Sequence, residues 1–134
     1  MKLLLDTHIL YWLLTDDENL TKSARALILD NTNEIYYSTA TLWELQIKHR
    51  KHPDKTITDA QDFEKFFIEA GYKELYIKSS HIFELDTLNR PDNTKHHNDP
   101  FDRILIAQAK CENMVFLTHD KNIKDYYESC VVIV

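Results

Sequence analysis

Apolar runs of four or five residues alternate with helical patterns along this chain, and that alternation restricts the folds open to it more than any other feature. Lys2 to Leu5 is an apolar run ending at Asp6, and Ile9, Leu10, Trp12, Leu13 and Leu14 then recur at helical spacing. Thr21 to Asp30 reads as a second helix. Glu34 to Ser38, with Ile35, Tyr36 and Tyr37, reads as a strand that feeds a helix over Thr41 to Lys51. Thr58 and Gln61 stand at capping-box spacing before Phe63, Phe66, Phe67 and Ile68, and Gly71, the one glycine of the chain, stands where a helix C-terminus favours it. Leu75 to Ile77 is a predicted strand, Ser80 to Leu88 a helix, and the polar stretch Asn89 to Asn98 with Pro91 a loop. Asp99 before Pro100 is a strong helix start, because the acid accepts from free backbone N–H groups and proline is preset for the first turn. That helix is expected to run to about Glu112, followed by a strand over Met114 to Thr118, a short helix near Lys121 to Tyr126 and a last strand over Val131 to Val134. Such alternation implies βαβ units: an α/β fold with a mostly parallel sheet covered by helices on both faces.

Length allows one domain. A chain of 134 residues buries about two thirds of its unfolded surface without cross-links. With 43% hydrophobic and 28% charged residues it has the composition of a globular protein rather than a disordered tail. The opening MKLLLDTHILYWLL superficially resembles a secretory leader, but Asp6 and His8 interrupt it and no small-residue cleavage site follows. No run reaches the ~18 apolar residues that span a bilayer. Cys111 and Cys130 form no CxxC pair, so neither a disulfide framework nor a thiolate zinc site is expected, and a reducing cytoplasm fits. The formal charge of −6 argues against binding nucleic acid through a broadly basic surface. Either nucleic acid is not the ligand or cations neutralise part of that charge.

Acids fall repeatedly where chemistry collects in such folds. Ligands of parallel sheets gather at the carboxyl ends of strands. Asp6 follows the first strand, Glu44 lies on the first turns after the second, Asp99 and Asp102 open the helix after the polar loop, and Asp120 follows the strand ending near Thr118. Each has a purely structural reading as well: Glu44 is three residues after Thr41 and could complete a capping box, Asp99 could be a plain cap, Asp102 gains from the helix dipole, and Asp6 and Asp120 could be turn residues. The conjunction favours function, because like charges brought together repel and burial raises their cost. A hard divalent ion with all-oxygen ligands, Mg²⁺ or Mn²⁺, relieves that repulsion, and phosphodiester hydrolysis is the reaction such a site serves.

Competing chemistries lack their residues. No GxxxxGK[ST] or GxGxxG loop occurs, a single glycine excludes glycine-rich phosphate cradles, and GxSxG is absent. Seven histidines, including the adjacent His96 and His97, show no HExxH or Cys/His zinc spacing. A haloacid-dehalogenase-type phosphatase expects DxD after the first strand, where this chain has DTH. The one basic stretch, KHRKHPDK from Lys48 to Lys55, ends the helix that carries Glu44. Its cations favour the helix dipole; alternatively Lys48, Arg50 and Lys51 contact RNA phosphates. Tyr11, Trp12 and Trp43 flank the acids in sequence and are either core or stacking platforms for bases.

These segments together resemble PIN-domain ribonucleases, and within them the VapC toxins of type II toxin-antitoxin pairs. LLLDTHILYWLL resembles the first family motif with Asp6, SxxTLWELQIK the second with Glu44, HHNDPFDRILIAQA the third with Asp102, and LTHD the fourth with Asp120 and a supporting Thr118 hydroxyl. The resemblance implies that residues 1–134 form one PIN domain, a three-layer fold with four to five strands between helices. It also implies Mg²⁺ or Mn²⁺ held chiefly by Asp6 and Asp102, with Glu44 and Asp120 completing the pocket and Asp99 at its margin. By the same resemblance the protein is a cytoplasmic endoribonuclease that cleaves RNA to inhibit translation, is commonly a homodimer, and is neutralised by a VapB-like antitoxin. An antitoxin arginine filling the acidic groove suits the charge balance. A catalytically silent PIN-fold interaction module is the alternative, although such a protein is expected to have lost acids from the set.

Overall fold

The computed structural model describes residues 1–89, 99–126 and 128–134. Five strands form one sheet in the order β3-β2-β1-β4-β5: β1 (Lys2–Leu5), β2 (Glu34–Ser38), β3 (Lys73–Leu75), β4 (Val115–Thr118) and β5 (Val131–Ile133). All four strand pairings are parallel, with Leu4 aligned on Tyr36 of β2 and on Phe116 of β4. The sheet therefore has the full five strands of the expected range and is wholly parallel. Among the described residues six helices connect it: α1 (Thr7–Thr15), α2 (Lys22–Leu29), α3 (Thr39–Lys51), α4 (Ala60–Glu69), α5 (Ser79–Glu84) and α6 (Pro100–Cys111), with 3-10 turns at Leu85–Thr87 and Lys121–Asp125. Among the described residues no helix is long and apolar enough to cross a membrane.

Strand alternation divides the core. Leu3 and Leu5 of β1, with Tyr37 and Leu117, pack against Ile9, Leu10, Ala24, Ile28, Leu45, Phe63 and Phe67 from α1 to α4. Leu4 points the other way and joins Leu105, Ile106 and Ala109 of α6 with Phe116, Ile123 and Tyr126. Because period-two strands feed both faces, one central strand serves both layers.

Several element boundaries differ from the sequence expectation for identifiable reasons. Ser38, the last residue of β2, is also the cap of α3: its hydroxyl accepts from the Ala40 N–H at 3.0 Å, so the helix begins two residues earlier than expected. Thr41 and Glu44 consequently lie inside the helix and do not form a capping box. Asp59, not Thr58, caps α4 by accepting from the Asp62 N–H at 2.9 Å, while Thr58 donates its hydroxyl to the Asp62 carboxylate. Gly71 ends that helix with φ +85°, a conformation that costs L side chains but not glycine. The third strand is Lys73–Leu75, displaced from the expected Leu75–Ile77, and the helix after it shortens to Ser79–Glu84 before a 3-10 turn. Of the expected loop, residues 90–98 lie outside the described residues, and so do His96 and His97.

Candidate active site

Strand order fixes where a ligand can sit. From β1 the chain steps outward through β2 and β3, then returns to the opposite side of β1 for β4 and β5. The crevice at the carboxyl ends of β1 and β4 is the point where that order reverses, and open α/β sheets bind ligands there. α6 leads into β4 through a parallel connection, so its N-terminus lies at the same edge.

Asp6 stands one residue beyond β1 and is 2% exposed. Thr118, the last residue of β4 and fully buried, donates its hydroxyl to Asp6 Oδ2 at 2.6 Å and accepts from the Asp120 N–H at 3.1 Å. One hydroxyl thus ties the first acid to the backbone of the last. Burial pushes the Asp6 carboxyl above its ordinary value; the Thr118 bond and the nearby His8 pull it back, and the charge of Glu44 adds to the rise. Glu44 is therefore close enough to Asp6 to repel it. Glu44 is itself 9% exposed, with Oε2 3.7 Å from Lys48 Nζ and Oε1 buried without a hydrogen-bond partner among the described residues. The adjoining helices are tied nearby, since Thr7 and Thr41 share a hydroxyl hydrogen bond of 3.1 Å.

Asp102 lies in the first turn of α6 and is 8% exposed. Its neighbour Phe101 meets Trp43, the neighbour of Glu44, edge to face at 5.1 Å between ring centroids, which brings the start of α6 against α3. The interaction is reinforced deeper in, where Ser38 donates to Gln108 Oε1 at 2.6 Å. Asp99 caps α6 by accepting from the Phe101 N–H at 2.9 Å. Asp120 is half-buried and caps the following 3-10 turn through the Asn122 N–H at 2.9 Å. Direct ties thus join Asp6, Thr118 and the Asp120 backbone, and the Glu44 charge reaches Asp6; Asp99 and Asp102 stand at the start of α6, which meets α3 through Phe101 and Trp43. Of the basic stretch, Lys48 and Lys55 line a cavity next to Thr7, whereas Arg50 and Lys51 are exposed and do not.

Two histidines escaped the sequence reading. His8 and His119 flank the Trp12 ring at 5.9 and 5.4 Å and share with Asp120 a small cavity at the acidic rim. His119 Nδ1 donates to the Val134 carbonyl oxygen, which holds its ring in place. The available signal was their position, two residues after Asp6 and one before Asp120. Gln108 was also missed, although a single polar residue among Leu105, Ile106, Ala107 and Ala109 marks a buried polar tie.

Asp6 and Glu44 have the donor chemistry of a hard-cation site, although among the described residues no three ligand atoms of Asp6, Glu44, Asp102 and Asp120 lie within 4.8 Å of one another. A buried carboxylate oxygen without a hydrogen-bond partner among the described residues, beside a second buried carboxyl that its charge repels, is the donor chemistry that a divalent ion satisfies. Another cluster does not fit a metal. His81, Cys111 and Glu112 approach within 4.8 Å, but His81 Nδ1 accepts from the Lys78 N–H at 3.0 Å, so Nε2 carries the proton and donates to Glu112 Oε1 at 2.8 Å. Both ring nitrogens are engaged.

The PIN domain family matches residues 3–129 of this chain. No curated protein matches the sequence. Among solved structures the chain is similar to a chain of VapBC2 from Rickettsia felis, crystallised bound to a DNA fragment from its promoter, with a TM-score of 0.68, 18% identity, and coverage of 100% of this chain and 98% of that one. That likeness extends over the whole sheet and its helices, and the family match spans the segments that carry Asp6, Glu44, Asp102 and Asp120. The chain belongs to the PIN-domain family.

Proposed function

We propose that this chain is the toxin of a type II toxin-antitoxin pair of the VapC kind, a metal-dependent endoribonuclease that cuts RNA and so inhibits translation. The observation that carries the reading is the pairing of Asp6 with Glu44 in a buried rim where one Glu44 oxygen has no hydrogen-bond partner among the described residues. The similarity to the VapBC2 structure supports the toxin assignment, and a VapB-like antitoxin is the partner that follows from it.

In this reading Asp6 and Asp102 hold Mg²⁺, or Mn²⁺, with Glu44 and Asp120 completing the shell. When bound, the ion supplies a more acidic attacking water and offsets charge on the leaving oxygen. Thr118 holds Asp6 Oδ2 by its 2.6 Å bond, so the carboxylate is oriented before a cation arrives. Water adds to phosphorus, the ester bond to the neighbouring ribose oxygen breaks, and no side chain becomes covalently attached. Lys48, at the edge of the carboxylates, meets the RNA phosphates, and Arg50 and Lys51 extend that contact along the exposed end of α3. Asp99 acts as a helix cap, for which its hydrogen bond to Phe101 is sufficient. An arginine of the antitoxin occupies the acidic groove in the neutralised complex, as a bidentate partner of the carboxylates. The toxin acts in the cytoplasm and pairs as a homodimer, a state that sedimentation measures directly.

Thermal melts with and without Mg²⁺, beside cleavage assays on purified cellular RNA, test the reading. Saturating Mg²⁺ at about a hundred times its dissociation constant is expected to stabilise the intact protein by about 2.7 kcal/mol. Asp6→Asn and Asp102→Asn are expected to lose both that gain and all cleavage. RNA cleavage that persists in Asp6→Asn, or a Mg²⁺ shift that is unchanged in both variants, contradicts it. A folded protein that binds an antitoxin and cuts no RNA favours a silent interaction module instead.

A further inference from the structure

A cavity of about 330 Å³ opens beside the carboxylates, between α1 and the C-terminal half of α3. Its walls include Tyr11, Trp12, Leu45, Lys48, Lys55 and Thr56. We propose that this cavity is a base-recognition subsite, which receives one unpaired nucleobase turned out of an RNA strand next to the bond that is cut. The proposal rests on the ribonuclease reading and adds to it the part of the substrate that the chain selects.

The wall chemistry matches a flat aromatic ligand joined to an anionic backbone. Tyr11 is braced against Phe63 at 5.6 Å between centroids, and Trp12 is held between His8 and His119, so the two rings are positioned before any ligand arrives. Stacking on a fixed ring avoids the ordering cost of a mobile one. Leu45, 2% exposed, closes the floor. Charge then sets the direction of approach. A chain of net charge −6 with a buried acidic rim repels phosphate on most sides, yet Lys48 stands at the lip between rim and cavity, 3.7 Å from Glu44 Oε2, and Lys55 lies on the same wall. The phosphates beside the inserted base would cross that lip.

Size and polarity narrow the ligand further. The volume is at the lower end of the ~300–1,000 Å³ typical of small-molecule sites, enough for one nucleoside and too small for a stack of several. The Thr56 hydroxyl, 2.7 Å from His49 Nδ1, is fixed in orientation and supplies one directional hydrogen bond for the edge of a base. A base inside a duplex cannot enter without leaving its stack, which costs a few kcal/mol. Single-stranded RNA is accordingly the form recognised, and position within it is read by one base.

An abasic scan on the protein itself provides the test. In an Asp6→Asn background that prevents cutting, affinity is measured for a single-stranded 12-mer oligoribonucleotide and for versions lacking one base at each position. One position is expected at which loss of the base weakens binding at least tenfold, the effect of a single stacked base. Trp12→Ala is expected to weaken binding of the complete strand by a similar factor and to erase that position dependence. Trp12→Phe retains both within threefold, Lys48→Gln weakens every strand alike, and Lys22→Gln on the far helix changes nothing. The duplex form binds more weakly and is indifferent to Trp12→Ala. A flat scan on folded protein overturns the subsite even where wild-type protein cleaves RNA, so the ribonuclease reading survives that result alone. If the protein neither binds nor cuts RNA, both readings fall. If Trp12→Ala abolishes antitoxin binding while leaving the abasic scan unchanged, the cavity belongs to the protein partner and the base subsite is wrong.

Discussion

Burial sets Asp6 against its own charge. Its folded pKa is raised above the ordinary 3.8, first by desolvation. The group favours folding most while protonated, and that contribution is lost as pH rises from 3.8 through the raised folded value. With divalent cations chelated, Asp6→Asn should therefore melt higher than the parent at neutral pH, and the difference should shrink as the buffer is taken down towards pH 4. Equal melting temperatures of the two proteins across that range would show that Asp6 bears no burial cost. Glu112 behaves in the opposite way. The hydrogen bond from His81, helped by Lys78, lowers its pKa below the ordinary 4.5. Its contribution is present above pH 4.5 and disappears as pH falls through the depressed value, so Glu112→Gln should flatten the acid limb of the stability profile measured by urea unfolding. Sequence made the acids visible because Asp6 and Asp120 follow strands, Glu44 lies on the helix that follows β2, and Asp99 and Asp102 open α6. It could not reveal which neighbour each would acquire: the Thr118 hydroxyl on Asp6, the Glu44 charge beside it and the histidines around Trp12 come from segments far apart along the chain.

Elements were legible where local signals agreed. β1 and β2 have the expected limits because short apolar runs end at Asp6 and Ser38, and α6 starts after Asp99 because cap and proline coincide. The third strand slipped because Leu75, Tyr76 and Ile77 look like a buried run, whereas pairing with β2 aligns Leu75 on Ser38 and leaves Tyr76 65% exposed. Register against a neighbouring strand is a tertiary property that a three-residue edge strand does not advertise. Two substitutions measure the element ends. Asp99→Ala should cost about 1 kcal/mol of stability by removing the cap of α6 while leaving Mg²⁺ binding intact, which calorimetry in both states would read. Loss of the Mg²⁺ response in that variant would instead make Asp99 a ligand. Gly71→Ala meets no atom within 4 Å of the new Cβ, so its whole penalty is backbone, about 1–2 kcal/mol for a side chain at φ +85°.

For the molecule as a whole, the sheet is shared property. Leu3 and Leu5 serve one layer and Leu4 the other, so loosening β1 loosens both. Leu4→Ala should cost about 2–5 kcal/mol, and amide exchange should quicken together in α4 and α6 although they lie on opposite faces. Faster exchange confined to α6 would mean that the layers unfold separately. Sequence alternation conveyed the architecture, but not the order of strands, and it is the order that places β1 between β2 and β4. That placement has a temporal side. Asp6 and the Thr118 hydroxyl that fixes it are 112 residues apart. At the ordinary pace of translation the first leaves the ribosome on the order of ten seconds before the second. A nascent chain still attached to the machinery that makes it has its first acid without the strand that orients it, so this topology leaves the Asp6 carboxyl unbraced until β4 has been made.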